Sequence, residues 1–337
     1  MIYDSYFGRI WDKLSKVTQI YCELMFKTAG ELSGCEYYET DEHLRKPPED
    51  GWKPLEGGKR WGGEWQNMWV RGKAVVPASA AGKKLYVKPD TSAVEILCFR
   101  DGKPSGIINS KGSDVMNGLH SASFITDGAR EGDEYDIALE CYAGHFCVGT
   151  SPYDNYGKTE PDEHDFDRVY HKTELVTLDE DVCGFVFDLK TVLALARYTD
   201  DANAVKAKAK NTLEAVLEDV VLYPLHYPEE KWRNSIKAAR EAMADVLAHG
   251  ESGDNLGYVG IIGHSHMDTA WLWPVSETVR KCARTYANAL SLMEQDADYK
   301  FIQSSALHLD WMRLYYPDIF ADIVRRTAEG RYEPNGG

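Results

Sequence analysis

The sequence predicts a multidomain chain with both α and β structure, and length and changing periodicity support this prediction. The chain has 337 residues, enough for two domains with separate cores. Its pattern is helical at the start, β-rich from about residue 60, helical again from 203, and alternating between strand and helix after 257. We therefore take in turn residues 1–30, 31–200, 201–250 and 251–337.

The first segment, residues 1–30, predicts an N-terminal helix. Apolar residues recur there with helical spacing at Ile10, Leu14, Val17, Tyr21 and Leu24. We expect one amphipathic helix over residues 6–28.

The second segment, residues 31–200, predicts an antiparallel β-sandwich domain. Short β-rich runs are separated by Gly, Pro and Asp turns at 67–77, 82–90, 93–106, 121–128 and 133–145. Regular strands with regular turn signals are typical of a sandwich. The Asp101-Gly102 pair predicts a hairpin between two of these strands. The run at 174–198 then closes the sheet and returns to helix.

The third segment, residues 201–250, predicts a helical linker. Two stretches rich in Ala, Lys and Glu, 204–221 and 229–248, are separated by Pro224 and Pro228. The polar, glycine-rich run at 249–257 is the strongest domain boundary in the chain.

The fourth segment, residues 251–337, predicts an α/β architecture. Its run "YVGIIG" at 258–263 is typical of a buried parallel strand. A helix follows over 276–295 with Ser276 as its cap, and then come a strand, two helices and the start of a third strand. This alternation of strands and helices is typical of an α/β barrel or a doubly wound sheet.

Charge and cysteine content restrict the partners and the compartment. The net charge of -16 disfavours nucleic acid and anionic membrane surfaces, whereas a neutral or cationic ligand fits it better. Seven cysteines without a C-x-x-C pair indicate neither a disulfide framework nor a structural zinc site. No secretory signal and no run of transmembrane length is recognisable, so we expect a cytoplasmic protein.

Two histidines and an aspartate alternate directly after the predicted strand. In extended chain, His264, His266 and Asp268 project from one face, at the strand end where barrel enzymes assemble their sites. Imidazole and carboxylate suit Zn²⁺, although three donors are too few to close the site. Trp271 and Trp273 follow, and an indole face packs well on a sugar ring. A lone H-x-H is a weak motif, so these residues leave several kinds of metal-dependent hydrolase open.

Longer motifs indicate a family. The run "GHSHMDTAWLWPVSETVRKCARTYANALSLME" resembles the opening of the catalytic domain of family 38 glycoside hydrolases, the retaining α-mannosidases. The resemblance continues through "YKFIQSSALHLDWM", "YPDIF" and "EGRYEPNGG". Upstream, "RWGGEWQNMWVRGKAVVP", "YDIALECYAGH" and "LDEDVCGFVFDL" resemble that family's N-terminal β domain, so nearly the whole chain is covered.

The resemblance implies a fold, a metal and residue roles. It implies a (β/α)7-type barrel behind the β domain, with one Zn²⁺ bound by His266 and Asp268, and a mixed N/O site that also accepts other divalent cations. His264 either supports these ligands or binds the metal itself, and Trp271 forms a platform for the mannose ring. The implied activity is hydrolysis of terminal α-mannosides in glycan and oligosaccharide catabolism.

The resemblance also implies that the site is incomplete. It places the nucleophilic aspartate a few residues beyond Gly337, so no catalytic residue is assigned within this chain. About three barrel strands are predicted, too few for closure, and we expect the chain alone to be inactive. Either the record is incomplete or the fragment is natural.

Two other functions and the oligomeric state stay open at this point. A carbohydrate-binding fragment would use the β domain, and a metal-dependent amidohydrolase also begins a barrel with H-x-H. The sequence does not decide the linkage preference, and a homo-oligomer is one alternative.

The remaining aromatic and histidine residues predict structural roles. Trp61, Trp65 and Trp69 are expected to pack in or beside the sandwich. His145 is expected to serve the β domain, and His308 to be a hydrogen-bonded helix residue instead of a ligand.

Overall fold

The computed structural model describes residues 2–109, 120–145, 160, 162, 164–248, 260–271 and 273–335, without the side chains of 2–5. The chain forms two compact units. The first contains Met1–Lys27 and Leu178–Val259, and the second contains Thr28–Thr177 and Gly260–Gly337. Each unit therefore combines parts of the chain that are distant in sequence. The four-segment division of the sequence stays a prediction.

The first unit is helical. Its helices are α1 Ile2–Cys22, α2 Glu180–Tyr198, α3 Ala204–Asp219 and α4 Glu229–Leu247, with a short 3-10 helix at Pro224–His226. The side chain of Asp179 caps α2 by accepting a hydrogen bond from the Val182 N–H. The buried Tyr21 ring meets Phe185 and Trp232 edge-on, and its hydroxyl donates to the Val221 carbonyl at 2.8 Å. Tyr21 thereby joins three helices and the chain after α3.

The predicted helix over residues 6–28 ends earlier than expected. It stops at Cys22, and a turn follows in which the Leu24 N–H donates to the Tyr21 carbonyl at 3.0 Å. The chain then enters β1, Phe26–Glu31, which lies at the edge of a sheet. Helical spacing of apolar residues continued to Leu24, but pairing with a strand more than 140 residues away determines the conformation after it.

The second unit contains an antiparallel sandwich, as predicted. Beside β1, its strands are β2 Ser33–Thr40, β3 Lys53–Pro54, β4 Lys59–Trp61, β5 Asn67–Val75, β6 Leu85–Asp90, β7 Glu95–Arg100, β8 Lys103–Asn109, β9 Ser123–Thr126, β10 Glu134–Tyr142, β11 Arg168–Tyr170 and β12 Lys172–Leu178. One sheet has the order β1-β12-β6-β9, and the other has the order β3-β2-β5-β10-β7-β8. The predicted hairpin joins β7 to β8, with positive φ at Asp101 and Gly102.

Alternation along β10 separates two cores. Leu139 and Cys141 point into the sandwich, where they pack with Met68 and Val70. Ala138 packs on the opposite face of the sheet, together with Trp69, Leu97 and Phe99. This second face is covered by the C-terminal part of the chain.

The C-terminal part is built of short parallel strands and helices. Its elements are α5 Val275–Gln295, β13 Phe301–Gln303, α6 Ala306–Tyr315, α7 Pro317–Ala328 and β14 Tyr332–Pro334. Strands β13 and β14 pair in parallel. Helix α5 places Val279, Cys282, Ala283 and Tyr286 against the outer face of the sandwich. Ser276 lies inside this helix, which starts one residue earlier, after Pro274.

The prediction of a buried strand at 258–263 is wrong for the residues that the structure describes. From Gly260 onward the backbone is irregular except for one parallel bridge between Gly263 and Phe301. Ile261 is 93% exposed, and Ile262 is 46% exposed. The apolar run was interpreted as buried on both faces, but the described part of the chain covers neither of these isoleucines.

Candidate functional site

The first residues of the motif segment lie beside β13, which comes later in the chain. The Gly263 N–H donates to the Lys300 carbonyl at 2.9 Å, and the Ile302 N–H donates to the Gly263 carbonyl at 2.8 Å. A Cβ at Gly263 would meet the Tyr299 hydroxyl at 2.6 Å, so only glycine fits this close approach. The Ser265 N–H then donates to the side-chain oxygen of Gln303 at 3.3 Å. The first residues of the motif are thus attached to β13.

His266 and Asp268 come together at the surface. The Nε2 atom of His266 lies 3.4 Å from Oδ1 of Asp268, and the two side chains are 86% and 37% exposed. An imidazole nitrogen and a carboxylate oxygen are zinc donors, and this separation allows both to reach one ion. A tetrahedral site needs four ligands, so the pair fits half of such a site.

His264 does not join this pair. Its side chain is exposed, and the described residues contain no group of three or more His, Cys, Asp or Glu side chains close enough to hold a metal. The further ligands of a metal at His266 and Asp268 would therefore come from outside this part of the chain. The metal-binding roles of all three residues stay predictions.

Trp271, three residues after Asp268 in the sequence, is exposed, whereas Trp273 is fixed by a hydrogen bond. Trp271 is 63% exposed, which leaves its indole open to a ligand. The Nε1–H of Trp273 donates to the Thr278 hydroxyl at 3.0 Å, and that hydroxyl donates to the Thr269 carbonyl at 2.9 Å. The first turn of α5 therefore holds the segment between Asp268 and Trp273.

His308 holds the same segment from α6. Its Nε2 atom lies 2.9 Å from the Thr269 hydroxyl, its ring stacks on Trp311, and burial lowers its pKa. The histidine is hydrogen-bonded, as the sequence predicted. The sequence interpretation missed Thr269 and Thr278, although a threonine directly after the aspartate and another in the following helix were visible signals.

The sandwich contributes an aromatic cluster to this region. His145 follows β10, is buried, and contacts the Tyr142 hydroxyl through Nδ1 at 2.7 Å. Its ring stacks on Trp65 at 4.5 Å between centroids and meets Trp273 edge-on at 6.2 Å. Burial lowers the pKa of His145 to about 4, so the imidazole is neutral at neutral pH. The sequence assigned His145 to the β domain but gave no signal of its contact with Trp273.

Buried charges anchor α5 beneath the motif. Arg280 contacts Glu277 at 2.5 Å and lies 3.5 Å from Glu140 of β10, and Arg284 pairs with both Glu277 and Glu95. Burial alone would raise the pKa of Glu277, but the charges of Arg284 and Arg280 outweigh it and hold the pKa at about 2. Glu277 is therefore ionised between two guanidinium groups.

The remaining tryptophans of the sandwich pack, as predicted for them. Trp61 and Trp69 are buried, and the Nε1–H of Trp61 donates to the Thr91 carbonyl at 3.1 Å. Trp65 is partly buried against His145.

Comparison with known protein families identifies both parts of the second unit. Residues 257–337 match the family described as "Glycosyl hydrolases family 38 N-terminal domain". This segment is therefore similar to glycosyl hydrolase family 38. Residues 35–171 match "Alpha-mannosidase, jelly roll domain", a description that agrees with the antiparallel sandwich of the structure. The resemblance inferred from the motifs is confirmed.

Similar proteins carry the name α-mannosidase. The chain is 27% identical over 305 residues to "Alpha-mannosidase 2C1" of Mus musculus, covering 88% of this chain and 27% of that protein. It is 27% identical over 290 residues to the Homo sapiens protein of the same name, covering 85% and 26%. It is 29% identical over 295 residues to "Alpha-mannosidase" of Saccharomyces cerevisiae, covering 82% and 25%. The chain thus spans about a quarter of the length of these relatives.

Two further properties concern the compartment. In the part of the chain that the structure describes, none of the cysteines forms a disulfide: Cys22, Cys35, Cys98, Cys141, Cys183 and Cys282. Of the helices that the structure describes, none has both the length and the apolar content needed to cross a membrane.

Proposed function

We propose that the chain is the N-terminal part of a zinc-dependent, retaining α-mannosidase that hydrolyses terminal α-mannosides in glycan and oligosaccharide catabolism. The observation that carries this proposal is the pair of donors at His266 and Asp268, 3.4 Å apart inside the segment that matches family 38. The relatives named α-mannosidase support the substrate class. The alternative of a metal-dependent amidohydrolase lacks such support.

In this proposal Nε2 of His266 and Oδ1 of Asp268 hold the Zn²⁺. The ion, when bound, supplies a positive template for sugar hydroxyls. The chain's own residues orient and shape the site: the Thr269 carbonyl and hydroxyl are both held, which fixes the backbone directly after Asp268. The exposed indole of Trp271 packs against the C–H face of the mannose ring.

The proposal assigns no catalytic carboxylate to this chain. Retaining hydrolysis needs two carboxyl groups about 5 Å apart, one as nucleophile and one as acid/base. In this proposal the nucleophile lies outside these 337 residues, and residues 251–337 are the first part of a (β/α)7-type barrel. We therefore expect the chain alone to show no turnover of α-mannosides.

We further propose that the protein works in the cytoplasm. Cysteines without disulfides, as in the described residues, are usual in a reducing compartment. The net charge of -16 favours an uncharged oligosaccharide over nucleic acid or anionic lipid as its partner.

Zinc binding by single variants tests the metal site. We expect wild-type protein, freed of metal and dialysed against zinc, to retain the ion, and His266→Ala and Asp268→Ala to lose it. His171→Ala removes an exposed imidazole elsewhere in the same unit and should keep wild-type zinc. Stoichiometric zinc in either motif variant, measured by atomic emission, is incompatible with the assignment.

A further inference from the structure

The jelly roll and the zinc motif meet at the C-terminal end of β10. Ala138, Glu140 and Tyr142 alternate along this strand toward the face that α5 covers, and all three are buried. The strand is followed after two residues by His145, whose ring reaches Trp273 in the motif. One end of one strand therefore contacts both the helix and the loop that carry the candidate site.

His145 is fixed from two sides. Its ring is parallel to that of Trp65, with an interplanar angle of 5°, and its Nδ1 atom is 2.7 Å from the Tyr142 hydroxyl. The Tyr142 ring in turn lies beneath the guanidinium groups of Arg280 and Arg284, at 4.9 and 5.5 Å from its centroid. The orientation of the imidazole is thus set by the jelly roll and by α5 together.

A short series of contacts leads from His145 to Asp268. His145 meets the edge of Trp273, Trp273 donates to the Thr278 hydroxyl, and Thr278 donates to the Thr269 carbonyl. Thr269 is the next residue after Asp268. Movement of Trp273 would therefore remove the hydrogen bond that orients the Thr278 hydroxyl toward the Thr269 carbonyl, directly after the proposed metal-binding carboxylate.

We propose that His145 of the jelly roll is a positioning residue for the zinc site, acting through Trp273 and Thr278 on Asp268. This inference rests on the proposed zinc-binding function of His266 and Asp268. It assigns the jelly roll a part in building the catalytic site, beyond packing against it. Residues that orient metal ligands typically change metal affinity by 10- to 100-fold when they are replaced.

Zinc titration of the full 337-residue chain, in competition with a chromophoric chelator, measures this effect. We expect His145→Ala to raise the zinc Kd by about 10-fold or more. His145→Phe keeps a ring against Trp65 and Trp273 and should restore the Kd to within about threefold of wild type.

A stability-matched control separates positioning from general loss of structure. Leu175 is buried in the sandwich core, away from the motif, so Leu175→Ala lowers the Tm without touching this series of contacts. We expect its zinc Kd to equal that of wild type. An increase equal to that of His145→Ala would mean that the effect is merely structural, which would overturn the inference.

The remaining outcomes distinguish a failure of the proposed zinc site from a failure of the positioning role of His145. If wild type and His266→Ala bind zinc alike, the proposed function fails. If zinc binding requires His266 but is as tight in folded His145→Ala as in wild type, only the positioning role fails. Should His145→Ala not fold, Trp65→Ala removes the ring beneath the imidazole at a partly exposed position, and an unchanged zinc Kd in that variant also overturns the inference.

Discussion

At the scale of single residues, an exposed and a buried tryptophan of the second unit should differ in how much their substitution lowers the free energy of unfolding. Trp271 is 63% exposed beside the candidate site, and Trp69 is fully buried between the sandwich and α5. Trp271→Ala should leave the free energy of unfolding within about 0.5 kcal/mol of wild type. Trp69→Ala should lower it by about 3–5 kcal/mol.

The same two variants should also differ in their response to a sugar ligand. We expect Trp271→Ala to lose the change in intrinsic fluorescence that methyl α-mannoside produces in the wild-type chain, because the indole is proposed to pack on the ring. Trp69→Ala, where folded, should retain that change. A wild-type response from Trp271→Ala would remove this residue from the proposed sugar site.

The pH dependence of stability is a second prediction at this scale. Burial lowers the pKa of His145 to about 4, from 6.5 for an ordinary histidine. Between these values the unfolded chain binds a proton that the folded chain excludes, so stability is complete above pH 6.5 and falls as the pH decreases toward 4. Phenylalanine does not titrate. On acidification through this window, wild type should therefore lose stability relative to His145→Phe by up to about 1.4 kcal/mol per pH unit.

Urea unfolding of both proteins at several pH values measures that difference. The charged groups that act on His145 are Glu277, Lys281, Glu95 and Arg280, and they are present in both proteins. Glu277 has a pKa of about 2 against an ordinary 4.5, so its stabilisation is lost only at lower pH, from 4.5 toward 2. A difference between the two proteins that stays constant from pH 6.5 to 4 would contradict a neutral, buried His145.

At the residue level, local sequence information predicted the approach of two of the three motif side chains, and their metal-binding roles stay predictions. The spacing of His266 and Asp268 is contained in the motif, and the structure brings the two side chains within 3.4 Å of each other. The roles of Thr269 and His145 depend on partners in α5, α6 and β10. No periodicity within the motif reports such contacts, because the partners are up to 128 positions apart in the sequence.

At the scale of elements, α5 depends on a buried charge network that its sequence pattern did not reveal. Arg280 and Arg284 are four residues apart and therefore lie on one face of the helix. That face is directed to Glu95 and Glu140 of the jelly roll instead of to solvent. A charged stripe usually indicates a solvated face, so the sequence could predict the helix but not which side is buried.

Removing the central carboxylate of this network should be costly. Glu277→Gln leaves Arg280 and Arg284 without their shared counter-charge in a buried site, and we expect the free energy of unfolding to fall by about 3–5 kcal/mol. Glu294→Gln is the matched control. Glu294 lies on the same helix as Glu277 and forms an exposed ion pair with Arg100 of β7, so its loss should lower the free energy of unfolding by at most about 1 kcal/mol. Equal effects in urea unfolding would contradict the central role of Glu277.

Among the other elements, the sequence predicted a turn that depends on its own residues but not a burial that depends on distant ones. The β7–β8 hairpin was predictable because Asp101 and Gly102 carry the required positive φ angles within the turn itself. The apolar run at 258–263 was wrongly predicted as a buried strand, because burial needs neighbours that a sequence pattern cannot supply. Ile261 is the residue that shows this most clearly.

At the scale of the whole molecule, the sequence predicted the classes of structure in the right order but not their grouping. The N-terminal helix belongs to the same compact unit as α2, α3 and α4, through contacts such as that between Tyr21 and Val221. The jelly roll shares its unit with the family 38 segment. Both groupings depend on packing between segments separated by more than 80 residues, which hydrophobic periodicity does not encode.

Locating zinc directly in crystals of the chain is the most decisive measurement for the proposed metal site. Anomalous difference maps at the zinc edge should show one peak about 2.0–2.2 Å from both Nε2 of His266 and Oδ1 of Asp268. A peak on other side chains, or crystals that take up no zinc at this pair at saturating concentration, would contradict the proposal that the family 38 motif of this chain is a metal site.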